Sequence, residues 1–177
     1  TVQDLCYRVS DEKLDTLLLL QNYYSVFYPT LETGTTGTVT VFDNQGQELA
    51  KHKFDVAHLG GAKIRVSDLL GELSLQTDSY GTFEVNIHIP ETILSHLQSE
   101  KSLYFWDRFY VGYTTTQGQI CFVHGVDKTH IYHHDSTQPV DWHSAPQNFE
   151  WAPEAPININ DYKTLNIVMI NRSSRSA

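Results

Sequence analysis

"GTFEVNIHIP", residues Gly81–Pro90, decides the fold class. Phe83, Val85, Ile87 and Ile89 occupy every second position, and Thr82, Glu84, Asn86 and His88 fill the positions between. Successive side chains of a β-strand point to opposite sides. This stretch is therefore a half-buried strand, with one face on a core and one in water.

The same period extends outward. In "GTVTVFDNQGQELAKHKFDV" (Gly37–Val56), Val39 and Val41 alternate with Thr38, Thr40 and Phe42. "DNQG" (Asp43–Gly46) is then a turn: Asp and Asn tolerate tight backbone angles, and Gly supplies a positive φ. "HLGGAK" (His58–Lys63) reads as a turn between strands rather than a phosphate cradle, because no helix follows it directly. In "AKIRVSDLLG" (Ala62–Gly71), Ile64 and Val66 alternate with Lys63 and Arg65. Ser67 is expected to cap a short helical turn that Gly71 ends. Pro90 opens "ETILSHLQ", where Ile93, Leu94 and Leu97 fall at helical spacing.

"SLYFWDRFYVGYTTTQGQICFVHGV" (Ser102–Val126) reads as a long hairpin turning at Thr115–Gly118. The N-terminal "SDEKLDTLLLL" (Ser10–Leu20) fits a helix capped by Ser10 or a strand, and we favour a strand from about Thr16. After Asp135, "STQPVDWHSAPQNFEWAPEAPININD" carries four of the six prolines and little periodicity. The span from about 135 to 162 is thus a long irregular loop. "TLNIVMINRSS" (Thr164–Ser174) echoes "TLLLLQNYYS" (Thr16–Ser25), and reads as a last strand returning to the sheet rather than a repeat. These segments together predict one all-β domain over residues 1–177. Its architecture would be an antiparallel β-sandwich, jelly-roll or Ig-like, with one or two short helices and a Pro-rich C-terminal loop.

Composition narrows the function classes. The chain has 177 residues, 40% of them hydrophobic and 19% charged, which suits a globular domain with its own core. Twelve Lys and Arg stand against twenty-one Asp and Glu, a net charge of −9 with no basic run. Nucleic-acid binding depends on neutralising phosphates, so no nucleic-acid partner is expected. No stretch of eighteen apolar residues occurs, so no membrane insertion is expected. Thr1 opens no basic or apolar leader, so either there is no signal peptide or it has been removed, and the cytoplasm is slightly favoured. Cys6 and Cys121 form no CxxC pair and are expected to be buried thiols. No GxSxG, P-loop or GxGxxG motif is present.

The order "GTVTVFDNQGQEL", "GGAKIRVSDLLG", "YGTFEVNI", "GQICFVHGVDKT" resembles the small sensory rhodopsin transducer proteins. The likeness is one of strand pattern and runs from about Ser25 to Thr129. It implies a β-sandwich that forms homo-oligomers and serves signalling or binding without catalysis. The N-terminal addition, the histidine stretch and the Pro-rich loop depart from that pattern, and no functional residue is carried over.

"HGVDKTHIYHHDSTQPVDWH" (His124–His143) holds five of the nine histidines. With a four-residue turn at Thr115–Gly118, Gln119 opposes Thr114 and His124 opposes Phe109. Phe109, Val111, Tyr113, Ile120, Phe122 and His124 would then share the core face, with Asp107 diagonal to His124. A carboxylate that orients an imidazole is what a metal site or a general base uses. His124, His130, His134 and His143 are the candidate ligands for one transition metal ion (Zn, Cu or Fe), with Asp107 and Asp127 behind them. Cys121 falls on the face opposite His124, so the two form no dyad. His52, His58, His88 and His96 are scattered and read as surface residues. Tyr104, Trp106 and Tyr110, with Arg108 between them, line the other face of the hairpin.

Three readings fit. The first is a non-catalytic, homo-oligomeric binding or interaction module for a small molecule, glycan or protein. Its surface would include Trp106, Arg108, Tyr110, Tyr132, Trp142 and Trp151. The second is a small metalloenzyme built on the histidines. The third is a carbohydrate-binding domain using Trp106, Trp142 or Trp151.

Overall fold

The computed structural model describes residues 2–75, 78–99 and 109–124, together with Asn160 and Lys163. The chain divides into two compact units, Thr1–Asp135 and Ser136–Ala177. All the elements below belong to the first unit.

In chain order these are β1 (Val2–Val9), β2 (Leu14–Gln21), α1 (Tyr23–Phe27), β3 (Thr35–Phe42), β4 (Glu48–Val56), β5 (Gly61–Arg65), α2 (Val66–Leu70), a 3-10 turn (Gly71–Leu75), β6 (Tyr80–His88), α3 (Glu91–Ser99), β7 (Phe109–Thr115) and β8 (Ile120–His124). The strands form two antiparallel four-stranded sheets, ordered β1-β6-β3-β4 and β5-β2-β7-β8. The all-β sandwich class is as expected. The β3–β4 and β7–β8 hairpins stay within a sheet, while the other connections cross between sheets.

Alternation explains the core. Phe83, Val85 and Ile87 of β6 are buried with Val39 and Val41 of β3 and Phe54 and Val56 of β4. They share one cluster with Leu18 and Leu20 of β2, Ile64 of β5, and Phe109 and Val111 of β7. Apolar burial is the main favourable term in folding, and two sheets each with one apolar face bury most by stacking. The "DNQG" turn forms as its chemistry requires. Asp43 Oδ1 accepts from the Gln45 and Gln47 N–H groups at 2.8 Å each, and Gly46 sits at φ 82°.

The N-terminal ambiguity resolves to strands. Asp11 Oδ1 accepts from the Lys13 and Leu14 N–H groups, both at 2.7 Å. The acidic residues that suit a helix start therefore close a tight β1–β2 turn, and the Ser10-capped helix does not form. Thr16 of β2 ties the two sheets together. Its buried hydroxyl accepts from the Val9 N–H at 2.8 Å and donates to the Val9 carbonyl at 2.7 Å.

Three local expectations are corrected. Ser67 does not cap α2: Arg65 is the cap residue and makes no side-chain cap bond. The Ser67 hydroxyl instead donates to Asp15 Oδ2 at 2.7 Å. Gly71 does end α2, at φ 54°, with its N–H on the Ser67 carbonyl. The thiols of Cys6 and Cys121 are not buried: Cys6 is half-buried and Cys121 exposed, because β1 and β8 are edge strands. His52, His88 and His96 are exposed, but His58 is half-buried between the Thr33 N–H (3.4 Å) and the Pro29 carbonyl (3.1 Å).

Tyr113 shows what the packing does to a titratable group. Its hydroxyl donates to the Tyr7 carbonyl at 3.0 Å, and its ring lies 6.3 Å from that of Tyr7. Burial, helped by Cys6, Tyr7 and Cys121, pushes its pKa from 10.0 up to about 12. A raised pKa of this kind contributes stability that is present below pH 10 and lost as the pH rises towards 12. Tyr113→Phe keeps the ring and removes the hydroxyl. It is expected to cost about 1 kcal/mol at neutral pH and to flatten the alkaline loss of stability. Denaturant midpoints between pH 9 and 12, with absorbance titration of the phenolates, check this. An unchanged late-titrating component in the variant would contradict it.

Candidate functional site

The outward face of the second sheet is built by register. Across β5, β2, β7 and β8 the pairings Arg65–Leu17–Gly112–Phe122 and Lys63–Leu19–Tyr110–His124 set up two rows. Thr114 pairs with Ile120 beyond them. Directly paired residues share a face, so Leu17, Leu19, Tyr110, Ile120 and Phe122 lie together, opposite the core residues Leu18, Leu20, Phe109 and Val111.

Lys63 and Arg65 put charge at its β5 edge, whereas over β7 and β8 this face is apolar and open. Phe122 is 48% exposed and Ile120 44%, whereas Leu17 between the strands is only 4% exposed. Gly112 makes the floor: a Cβ there would meet Ile120 Cδ1 at 3.0 Å and Phe122 Cε1 at 3.1 Å. The lack of a side chain at 112 thus lets those two side chains lie down across β7. Tyr110 meets Phe122 edge-on, with ring centroids 6.4 Å apart and planes at 78°, a favourable aromatic geometry.

The placement of β8 differs from the sequence expectation. Thr115 N donates to the Gln119 carbonyl at 2.8 Å, and Gly118 adopts φ 82°. The loop is therefore Thr116–Gly118, closed by a left-handed glycine, instead of the four residues Thr115–Gly118. The pairing moves by one: Thr114 opposes Ile120, and His124 opposes Tyr110, not Phe109. A one-residue slip exchanges the faces of a strand. Ile120 and Phe122 thus leave the core face for the outer one. The placement of His124 at the core edge, expected from pairing with Phe109, does not follow in this register.

Of the sequence-derived site residues, the structure places Tyr110 on the outer face and His124 as its pairing partner. Trp106, Asp107, Arg108, Asp127, His130, Tyr132, His134, Trp142, His143 and Trp151 lie outside the described residues. Among the described residues, no three His, Cys, Asp or Glu side chains gather closely enough to hold a metal ion. Likewise, no helix among them is long and apolar enough to cross a membrane.

Sequence reasoning missed Ile120 and Phe122 as surface residues, and it missed Leu59. Leu59 is a non-glycine at φ 52°, exposed, with its N–H held by the Ser25 hydroxyl at 2.8 Å. Val26 and Phe27 of α1 are exposed as well. The only sequence signal for the β8 register was Gly118, one residue before the loop closes.

No family model matches the chain, and no curated protein or solved structure matches it either.

Proposed function

We propose that the protein is a non-catalytic β-sandwich interaction module that self-associates through the outer face of β7 and β8. The observation that carries this reading is the pairing of exposed Phe122 and Ile120 with a strand pair free of charge. None of the twelve residues of β7 (FYVGYTT) and β8 (ICFVH) is Asp, Glu, Lys or Arg. One edge strand of the other sheet, β4, is built differently. β4 carries Glu48, Lys51, Lys53 and Asp55, all exposed, and charged side chains of this kind keep a sheet edge from pairing with another chain. In a chain of net charge −9, two copies repel each other least where neither presents a carboxylate. An open apolar surface on such a chain is the pattern of an association site.

Sedimentation velocity on the full chain tests the reading. The native protein is expected to form dimers, and Phe122→Glu with Ile120→Lys to be monomeric with an unchanged circular dichroism spectrum. Phe27→Glu, in the separate apolar cluster at α1, leaves the dimer intact. A native chain that stays monomeric at high protein concentration sinks the proposal.

A further inference from the structure

A cleft of about 250 Å³ opens where the β1–β2 turn, the β5–α2 junction and the β7–β8 turn come together. Ser10, Asp11, Lys13, Asp15, Arg65 and Thr116 are among the side chains that line it. Its lining carries both signs of charge, and those charges are only partly spent on one another.

On the cationic side, a guanidinium offers five N–H donors. Arg65 uses one of its nitrogens, Nη1, on Asp15 Oδ2 at a long 3.5 Å, and its side chain is 42% exposed. Such a loose, half-exposed pair leaves most of its donors open to a ligand. The Lys13 ammonium has no ion-pair partner among the described residues. On the anionic side, Asp15 is engaged by the Ser67 hydroxyl at 2.7 Å and by the Thr16 N–H at 2.9 Å. Asp11 differs. Its Oδ1 is saturated by two backbone N–H groups at 2.7 Å, which fixes the carboxylate, and its Oδ2 makes no hydrogen bond among the described residues. The hydroxyls of Ser10 and Thr116 add neutral donors and acceptors to the lining.

A lone anion in this cleft would meet two carboxylates, and a lone cation would meet Lys13 and Arg65. A molecule with both charges satisfies both sides. Among the described residues of the lining Leu14 is the only apolar one and none is aromatic, so neither a large apolar group nor a base is favoured. We propose that this cleft binds a zwitterion of free amino-acid size. Its carboxylate lies on Arg65 and Lys13, its ammonium on Asp11 Oδ2, and a small polar side chain among the hydroxyls. The proposal does not rest on self-association, and the cleft adjoins that face: Thr114, the pairing partner of Ile120, lines it.

Isothermal titration of the full chain with glycine, L-serine and L-glutamine tests the proposal, with acetate and methylamine as single-charge probes. At least one zwitterion should bind with one-to-one stoichiometry, and neither single-charge probe should bind at the same concentration. Asp11→Asn keeps the Oδ1 acceptor that closes the turn and removes the charge. Arg65→Gln removes the guanidinium from a half-exposed position. Each is expected to weaken binding about tenfold with an unchanged melting temperature, because one charge-assisted hydrogen bond is lost. No binding by any of the three zwitterions overturns the proposal. Acetate or methylamine binding as tightly as the zwitterions overturns it too, as does undiminished affinity in both variants.

Discussion

Phe83→Ala is expected to lower the unfolding free energy by about 3–5 kcal/mol, a large share of the stability of a domain of this size. Phe83 is 0% exposed, at the centre of β6, and β6 is held by β1 on one side and β3 on the other. Its ring packs between the two sheets, so neighbouring strands cannot close over the space without breaking register. Phe83→Leu keeps most of the volume and is expected to cost under about 1.5 kcal/mol. Urea unfolding at neutral pH, followed by tryptophan fluorescence and circular dichroism, measures both. An Ala variant within 1 kcal/mol of the native chain would mean that β6 is not central to the core.

Arg8→Ala is the second large effect, expected at about 3 kcal/mol from two lost hydrogen bonds to a charged donor and from lost packing. Arg8 sits near the end of β1 and is 0% exposed. Its strand pairs it with Gly81, and its side chain crosses β6 to reach β3. There Nε donates to the Phe42 carbonyl at 2.9 Å, and Nη2 donates to the Asp78 carbonyl at 3.3 Å. Nη1 is buried without a hydrogen-bond partner among the described residues. Burial lowers the pKa of the guanidinium, against the pull of Asp43 and Asp78, which favour the charge.

Gly81 makes the crossing feasible: a Cβ there would stand 2.4 Å from the Phe42 oxygen. Gly81→Ala should therefore reproduce much of the loss while leaving Arg8 in place. Arg8→Met restores packing without the hydrogen bonds and is expected to fall between Ala and the native chain. The same urea series reads all three. If Arg8→Ala and Gly81→Ala are both within about 0.5 kcal/mol of native, the guanidinium is not inside the fold.

These two residues mark what could be read from the chain. Phe83 was legible because "GTFEVNIHIP" is strictly periodic, and a period of two is a local property of an extended backbone. The turn at Asp43–Gly46, the end of α2 at Gly71 and the start of α3 after Pro90 were legible for the same reason. Each follows from the angles a few adjacent residues prefer. Tyr110 on the outer face also came from alternation, since Phe109 and Val111 beside it are apolar.

Arg8 was not legible. Nothing in "LCYRVS" distinguishes it from a surface arginine. Its partners are 34 and 70 residues away, and its space depends on a glycine in another strand. The candidate surface was only half legible for a similar reason. Alternation showed that Ile120 and Phe122 share a face with each other. Which face that is depended on whether Gly118 closes a three-residue or a four-residue loop.

By itself, then, the sequence determined an antiparallel β class, its main turns and the core face of its central strands, because backbone geometry and burial act on neighbouring residues. The partition into two sheets, the register of β8 and the burial of Arg8 were decided only by tertiary structure. Each depends on contacts between strands far apart in the chain, and a single residue of loop length exchanges the inside of an edge strand for its outside.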